Sequence, residues 1–229
     1  MINLNHIEKE EALRYLGYGI NKPDEKTQDI INDCESELIL VIKPRYLYKV
    51  FDINISENGY ILNNCKLMLN GNDIKNHLND CEKAVLMCAT LSAEVDKLIR
   101  TTQISDMTRT IILDSLASAA IEQVCDKVEE LIKSEFADYF QTWRYSPGYG
   151  DFPIEIQKDF LDVLDAPKKI GLMATQSSIL TPRKSVTAII GLSKNQIPKR
   201  TRGCQSCNLK ETCAIRKEGE HCGFKTTIN

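Results

Sequence analysis

The chain has 229 residues, room for one large domain or for one domain with an appendage. At 42% hydrophobic residues it can bury a substantial core, and a net charge of −3 gives no global sign of nucleic-acid binding. The opening MINLNHIEKEE has no apolar h-region, and no apolar run approaches the roughly 18–20 residues that span a bilayer, so neither a signal peptide nor a membrane span is expected and the chain reads as cytoplasmic.

Asn5 followed by Glu8 reads as a capping box for a helix carrying Ile7, Leu13 and Leu16. A second helix is expected over residues 24 to about 40. Residues 45–53 are β-rich, with Tyr46, Tyr48 and Val50 on one face, and residues 59–69 read as the antiparallel partner. A short helix over 73–80 follows. The continuous apolar run Ala84 to Ala89 predicts a buried strand over 83–90. Ser92 reads as the cap of a helix to about 103, and Ser105 as the start of a long one to about 136. In that long helix Ile111, Ile112, Leu116, Ala119, Val124, Val128, Leu131 and Ile132 recur at helical spacing.

Past it lies the sharp turn Arg144-Tyr145-Ser146-Pro147-Gly148-Tyr149-Gly150. Pro147 fixes φ and Gly148 permits positive φ, so the chain turns without side-chain bulk and a ligand can approach backbone amides. Arg144 offers a planar fork that suits a carboxylate or phosphate, and Tyr149 a ring to cover a flat heterocycle. The plainer reading is a structural turn with a surface arginine. Glu122, on or beside the apolar face of the long helix, is a second candidate; its plainer reading is a solvated helix carboxylate. A further helix begins at Pro153 and runs to about 164. Residues 171–175 and 185–192 read as two strands flanking a turn with Arg183 and Lys184. Strands come in pairs and helices in blocks, which predicts an α+β fold with an antiparallel sheet.

Three histidines, at 6, 77 and 221, lie in no nucleophile context, and neither a Walker A motif nor a GxGxxG after a strand occurs. Cys34, Cys65, Cys81, Cys88 and Cys125 sit in apolar-rich segments and read as small buried hydrophobes. Residues 194–229 form a compositionally distinct basic tail: eight Lys/Arg against three Asp/Glu gives +5, which leaves −8 for residues 1–193. The tail holds Cys204-x2-Cys207-x5-Cys213-x8-Cys222, and four thiolates suit tetrahedral zinc or a 4Fe–4S cluster. The alternative is a redox-inert or partly disulfide-bonded tail. Domain boundaries are therefore expected at 1–193 and 194–229.

Arg144 to Tyr149 resembles the RxxxGY element of the activation domain of cobalamin-dependent methionine synthase. Ala174-Thr175-Gln176-Ser177 is similar to that family's Leu-Thr-Glu-Ser element, with Gln176 in place of the acidic residue. Pro182 with Ser185-Val186 is similar to its Pro-x-x-Ser-Val strand, and Ala120-Ile121-Glu122 to its Ala-Glu helix. Coverage is good over about 114–193. The family's tyrosine-bearing segment after the last strand has no counterpart; the Cys-rich tail stands there instead. The resemblance implies a stand-alone activation component that binds S-adenosylmethionine for reductive remethylation of cob(II)alamin on a partner chain. It implies Arg144 on the ligand carboxylate, amides near Gly148 at close range, Tyr149 flanking the ligand and Glu122 on its ammonium or ribose. Expected partners are a cobalamin-binding methionine synthase or other corrinoid protein, and an electron donor such as flavodoxin or ferredoxin. Neither nucleic acid nor membrane is expected as a partner. The competing expectation is a non-enzymatic corrinoid-protein adaptor or S-adenosylmethionine sensor with a structural zinc knuckle.

Overall fold

The computed structural model describes residues 2–18, 21–56 and 59–197. The chain divides into two compact units, Met1–Asn195 and Gln196–Asn229. Of the second, only residues 196 and 197 are among those described, so Cys204, Cys207, Cys213 and Cys222 lie outside the described residues.

In chain order the first unit runs α1 (Lys9–Tyr15), α2 (Glu25–Val41), β1 (Arg45–Ser56), β2 (Gly59–Leu62), β3 (Met68–Leu69), α3 (Asn72–His77), β4 (Lys83–Thr90), α4 (Ala93–Thr102), α5 (Met107–Glu135), β5 (Phe140–Gln141), a short 3-10 turn (Ile154–Ile156), α6 (Gln157–Leu164), α7 (Ala166–Ile170), β6 (Met173–Ala174), β7 (Leu180–Thr181) and β8 (Ser185–Ser193). Six strands form one sheet in the order β3-β2-β1-β4-β8-β5, and every neighbouring pair is antiparallel. The fold is α+β with an antiparallel sheet, as the sequence predicts.

Helices cover both faces of the central strands. Val85, Met87 and Ala89 of β4 join a core with Leu38 of α2 and Leu116, Ala120 and Val124 of α5. Ala84, Leu86 and Cys88 point the other way, into a second core with Ile74 of α3 and Phe160 and Leu164 of α6. That two-sided burial is why β4 is a continuous apolar run rather than an alternating one. Each large aliphatic side chain so buried contributes about 1.5–3 kcal/mol.

Several boundaries differ from expectation. No capping box forms at Asn5. Ile7 donates its N–H to Glu35 of α2 at 2.8 Å and Glu8 to Gln123 of α5 at 3.0 Å, and α1 starts only at Lys9. Asp106, not Ser105, caps α5, accepting from the Arg109 N–H at 2.9 Å. Residues 59–69 split into β2 and β3. Residues 173–174 join a separate two-stranded hairpin with β7 rather than the main sheet. Ile111 and Leu131 of α5 are exposed, whereas the other six apolar positions named for that helix are buried. Cys34, Cys88 and Cys125 are buried, while Cys65 and Cys81 are only partly so.

Candidate functional site

The segment after α5 returns along the edge of β8. Phe140 and Gln141 pair with Ser193 and Leu192. Thr142 donates its N–H to the Gly191 carbonyl at 2.9 Å, and Tyr145 exchanges both backbone hydrogen bonds with Ile189 at 3.0 and 2.8 Å. Side chains alternate along such an extended segment. Trp143 and Tyr145 meet His77 of α3, each with ring centroids 5.0 Å away, and Arg144 between them reaches the acidic face of α5.

That face carries Glu122, Asp126 and Glu129, four and then three residues apart and so on one side of the helix. Arg144 bonds Glu122 Oε2 at 2.9 Å, Asp126 Oδ1 at 2.7 Å and Glu129 Oε1 at 3.2 Å. Its side chain is 12% exposed. Burial opposes the charge, but Glu129 and Asp126 outweigh it and hold the guanidinium above its ordinary value. Sequence reasoning expects an open fork for a ligand; the structure fills that fork from within the chain. It does bring together the two residues singled out, Arg144 and Glu122. Asp126 and Glu129 share the face of Glu122 by their spacing, the one signal in the sequence that points to them.

Gly148 has φ of +91°, as the turn demands. Its N–H donates to the Phe152 carbonyl at 2.9 Å, and that of Tyr149 to the Ser146 carbonyl at 3.3 Å. Both amides are therefore used inside the turn, so the expected amide contacts to a ligand require the turn to open. The positive φ of Gly148 is what calls for glycine here; a Cβ would add only a tight 3.3 Å contact with the movable end of Ile154. Tyr149 is 67% exposed, and its ring offers a flat apolar surface.

Beside the same face of α5, one turn before Glu122, a cleft of about 540 Å³ is lined by Tyr15, Ile99, Ile111, Ser115, Ser118 and Arg183. Burial and then the Glu11 carboxylate push the Tyr15 hydroxyl up to about 12, with Glu122 adding to the shift. Lys184 Nζ bonds two residues of the cleft lining, Asp114 Oδ1 at 2.9 Å and Ser118 Oγ at 2.8 Å. The Thr175 to Ser177 element makes the β6–β7 turn, where Ile179 donates its N–H to Thr175 Oγ1 at 3.1 Å. Ser185 bonds Thr90 at 2.8 Å and ties β8 to β4. Among the described residues no group of three or more His, Cys, Asp or Glu converges as a metal site. No helix among them is long and apolar enough to cross a membrane.

The architecture is similar to the crystal structure of the MetH reactivation domain bound to AdoHcy. The match covers 90% of this chain and 75% of that one, with a TM-score of 0.59 and 15% sequence identity. The chain has the MetH reactivation domain fold. At this identity the likeness speaks for the fold alone. No family model matches the chain, and no curated protein sequence matches it.

Proposed function

We propose that this chain binds S-adenosylmethionine beside Arg144 and acts as an activation component for a cobalamin-dependent methionine synthase, its cobalamin carried by a partner corrinoid protein. The observation that carries this reading is the Arg144–Glu122 pair at 2.9 Å, on a fold whose solved relative binds AdoHcy. The donor set fits the ligand's charges. One guanidinium faces three carboxylates, a local balance of −2, and the ligand carries two cationic groups and one carboxylate. When bound, S-adenosylmethionine supplies an activated sulfonium methyl, so the protein's task is positioning.

Arg144 keeps Asp126 and Glu129 as supports and turns the edge now on Glu122 to the ligand carboxylate. Glu122, released, accepts the ligand's ammonium. The exchange conserves ion pairing and so avoids stranding a half-buried charge. Tyr149 covers an apolar part of the ligand. In the tail, Cys204, Cys207, Cys213 and Cys222 hold zinc or a 4Fe–4S cluster, and a cluster there would relay an electron from a donor such as flavodoxin or ferredoxin. The test is a reconstitution in which this protein, S-adenosylmethionine and a reductant are added to a corrinoid protein poised as cob(II)alamin. Loss of the cob(II)alamin spectrum only with all components present supports the reading, and no change contradicts it.

A second reading is favoured by the filled fork of Arg144. There the guanidinium is a staple joining the turn to α5, and the protein is a non-enzymatic adaptor for a corrinoid protein. Co-elution with that protein without any S-adenosylmethionine affinity would select it.

A further inference from the structure

Asp73 lies in the first turn of α3, and Asp151 closes the turn that follows Arg144, 78 positions later. Each carboxylate accepts the other residue's backbone N–H. Asp73 donates its N–H to Asp151 Oδ1 at 2.9 Å, and Asp151 donates its own to Asp73 Oδ2 at 3.1 Å. Asp151 Oδ2 also takes the Asn72 N–H at 2.7 Å, so one side chain satisfies two leading donors of α3. Two glycines let the segments close. Gly71 has φ of +127° and Gly150 of +56°. A Cβ on Gly71 would stand 2.7 Å from Asp151 Oδ1, and one on Gly150 would collide with Asp73 Oδ2. The other end of α3 holds the other flank of the turn, where His77 stacks on Tyr145 and meets the edge of Trp143. The Tyr145 hydroxyl donates to the Tyr149 carbonyl at 3.2 Å and braces the span between.

We propose that α3 is the positioning element for the 144–151 turn, with Asp73 and Asp151 as positioning residues. Together they fix the backbone that presents Tyr149 and the approach to Arg144. Affinity at the turn is thus set from α3 by side chains that do not meet the ligand. This rests on the reading that the turn holds S-adenosylmethionine. The mechanism is backbone fixation: an untethered turn samples more conformers, and binding must then select the competent one.

The reciprocal pair predicts an asymmetry between the two sites. Asp73 accepts a single N–H, which an asparagine oxygen can also accept. Asp151 accepts N–H groups on both oxygens, and asparagine would turn its NH2 toward one of them. Asp73→Asn should therefore rescue what Asp73→Ala loses, and Asp151→Asn should not rescue Asp151→Ala.

The single tryptophan, Trp143, reads the attachment of the turn to α3, because its ring meets that of His77 edge to face. The experiment compares full-length wild type with Asp73→Ala, Asp73→Asn, Asp151→Ala and Asp151→Asn. Far-UV circular dichroism selects folded variants, Trp143 emission reads the turn, and calorimetry reads S-adenosylmethionine. Asp73→Ala and both Asp151 variants should shift Trp143 emission to the red and weaken the ligand about tenfold, the scale of one or two lost hydrogen bonds. Asp73→Asn should match wild type in both. Unchanged emission in the Asp151 variants overturns the proposal, as does a shifted emission with wild-type affinity. If wild type binds no S-adenosylmethionine, the ligand reading falls on its own. Emission then decides whether α3 positions the turn: the predicted asymmetry upholds it and its absence overturns it. Asp151→Asn, which preserves volume, carries the test if Asp151→Ala does not fold.

Discussion

Arg144 and Glu122 meet at 2.9 Å across 22 positions of sequence, joining the turn after β5 to the middle of α5. The pair is one edge of a larger arrangement, since Asp126 and Glu129 hold the same guanidinium. Removing Arg144 would leave three carboxylates on one helix face without their cation. Arg144→Ala should cost about 1–3 kcal/mol, below the value for a fully buried pair because the carboxylates are partly solvated. Glu122→Gln should cost under about 1 kcal/mol, because two acidic partners remain. Urea midpoints at unchanged m-value measure both. Equal losses for the two variants would contradict the shared arrangement.

Acid should weaken the clasp between α3 and the turn. Backbone N–H groups of Asp73 and Asn72 hold the Asp151 carboxylate below its usual range. The folded value is the lower one, so the stabilisation is complete above the unfolded value of about 3.9 and is lost as pH falls through the folded value. The Asp73 carboxylate and the Tyr145 hydroxyl face this group. Wild type should be more stable than Asp151→Asn at neutral pH, with the gap closing below about pH 4. A gap that is constant down to pH 2 would contradict the assignment.

Much of the fold was legible because local chemistry and tertiary context agree. Asp24 caps α2 by accepting from Thr27 at 2.8 Å, and the run Ala84 to Ala89 is the most buried strand. The turn at Gly148 was legible from its proline and glycine. The start of α1 was not, because the N–H groups of Ile7 and Glu8 just before it find partners in α2 and α5, which no local pattern encodes. The state of Arg144 was hidden for a similar reason. A guanidinium in a turn reads as available until the fold places Glu122, Asp126 and Glu129 beside it. Asp73 and Asp151 carry no signal at all in sequence, since each matters only through the other.

The three fully buried cysteines should resist alkylation in the folded protein. Burial raises the Cys34 and Cys125 thiols and pushes Cys88 up to about 12. Iodoacetamide at pH 8 should leave these three unmodified in the folded protein and label them in urea, since the thiolate is the reactive form. Peptide mass mapping reads each site. Labelling of Cys125 at its unfolded rate would contradict the packing of α5 against the sheet.

Truncation after Asn195 should preserve the fold and remove the metal site proposed for the tail. β8 ends at Ser193, and Lys194 still donates its N–H to Glu82 at 3.0 Å in the shortened chain. Anaerobically purified full-length protein should contain zinc or iron, and Cys207→Ser should lose most of it because one missing thiolate opens the coordination shell. Metal analysis beside circular dichroism checks both. A full-length protein with neither metal would contradict the tail proposal.

In the proposed function, Arg144 and Glu122 exchange their mutual contact for S-adenosylmethionine. Calorimetric titration of the full-length protein tests it most directly. Wild type should give a saturable isotherm, and folded Arg144→Ala should lose about 2–4 kcal/mol of affinity, with lysine a poor substitute for the planar fork. A wild-type protein with no saturable heat at millimolar ligand, or an Arg144→Ala variant that binds as wild type does, would contradict it.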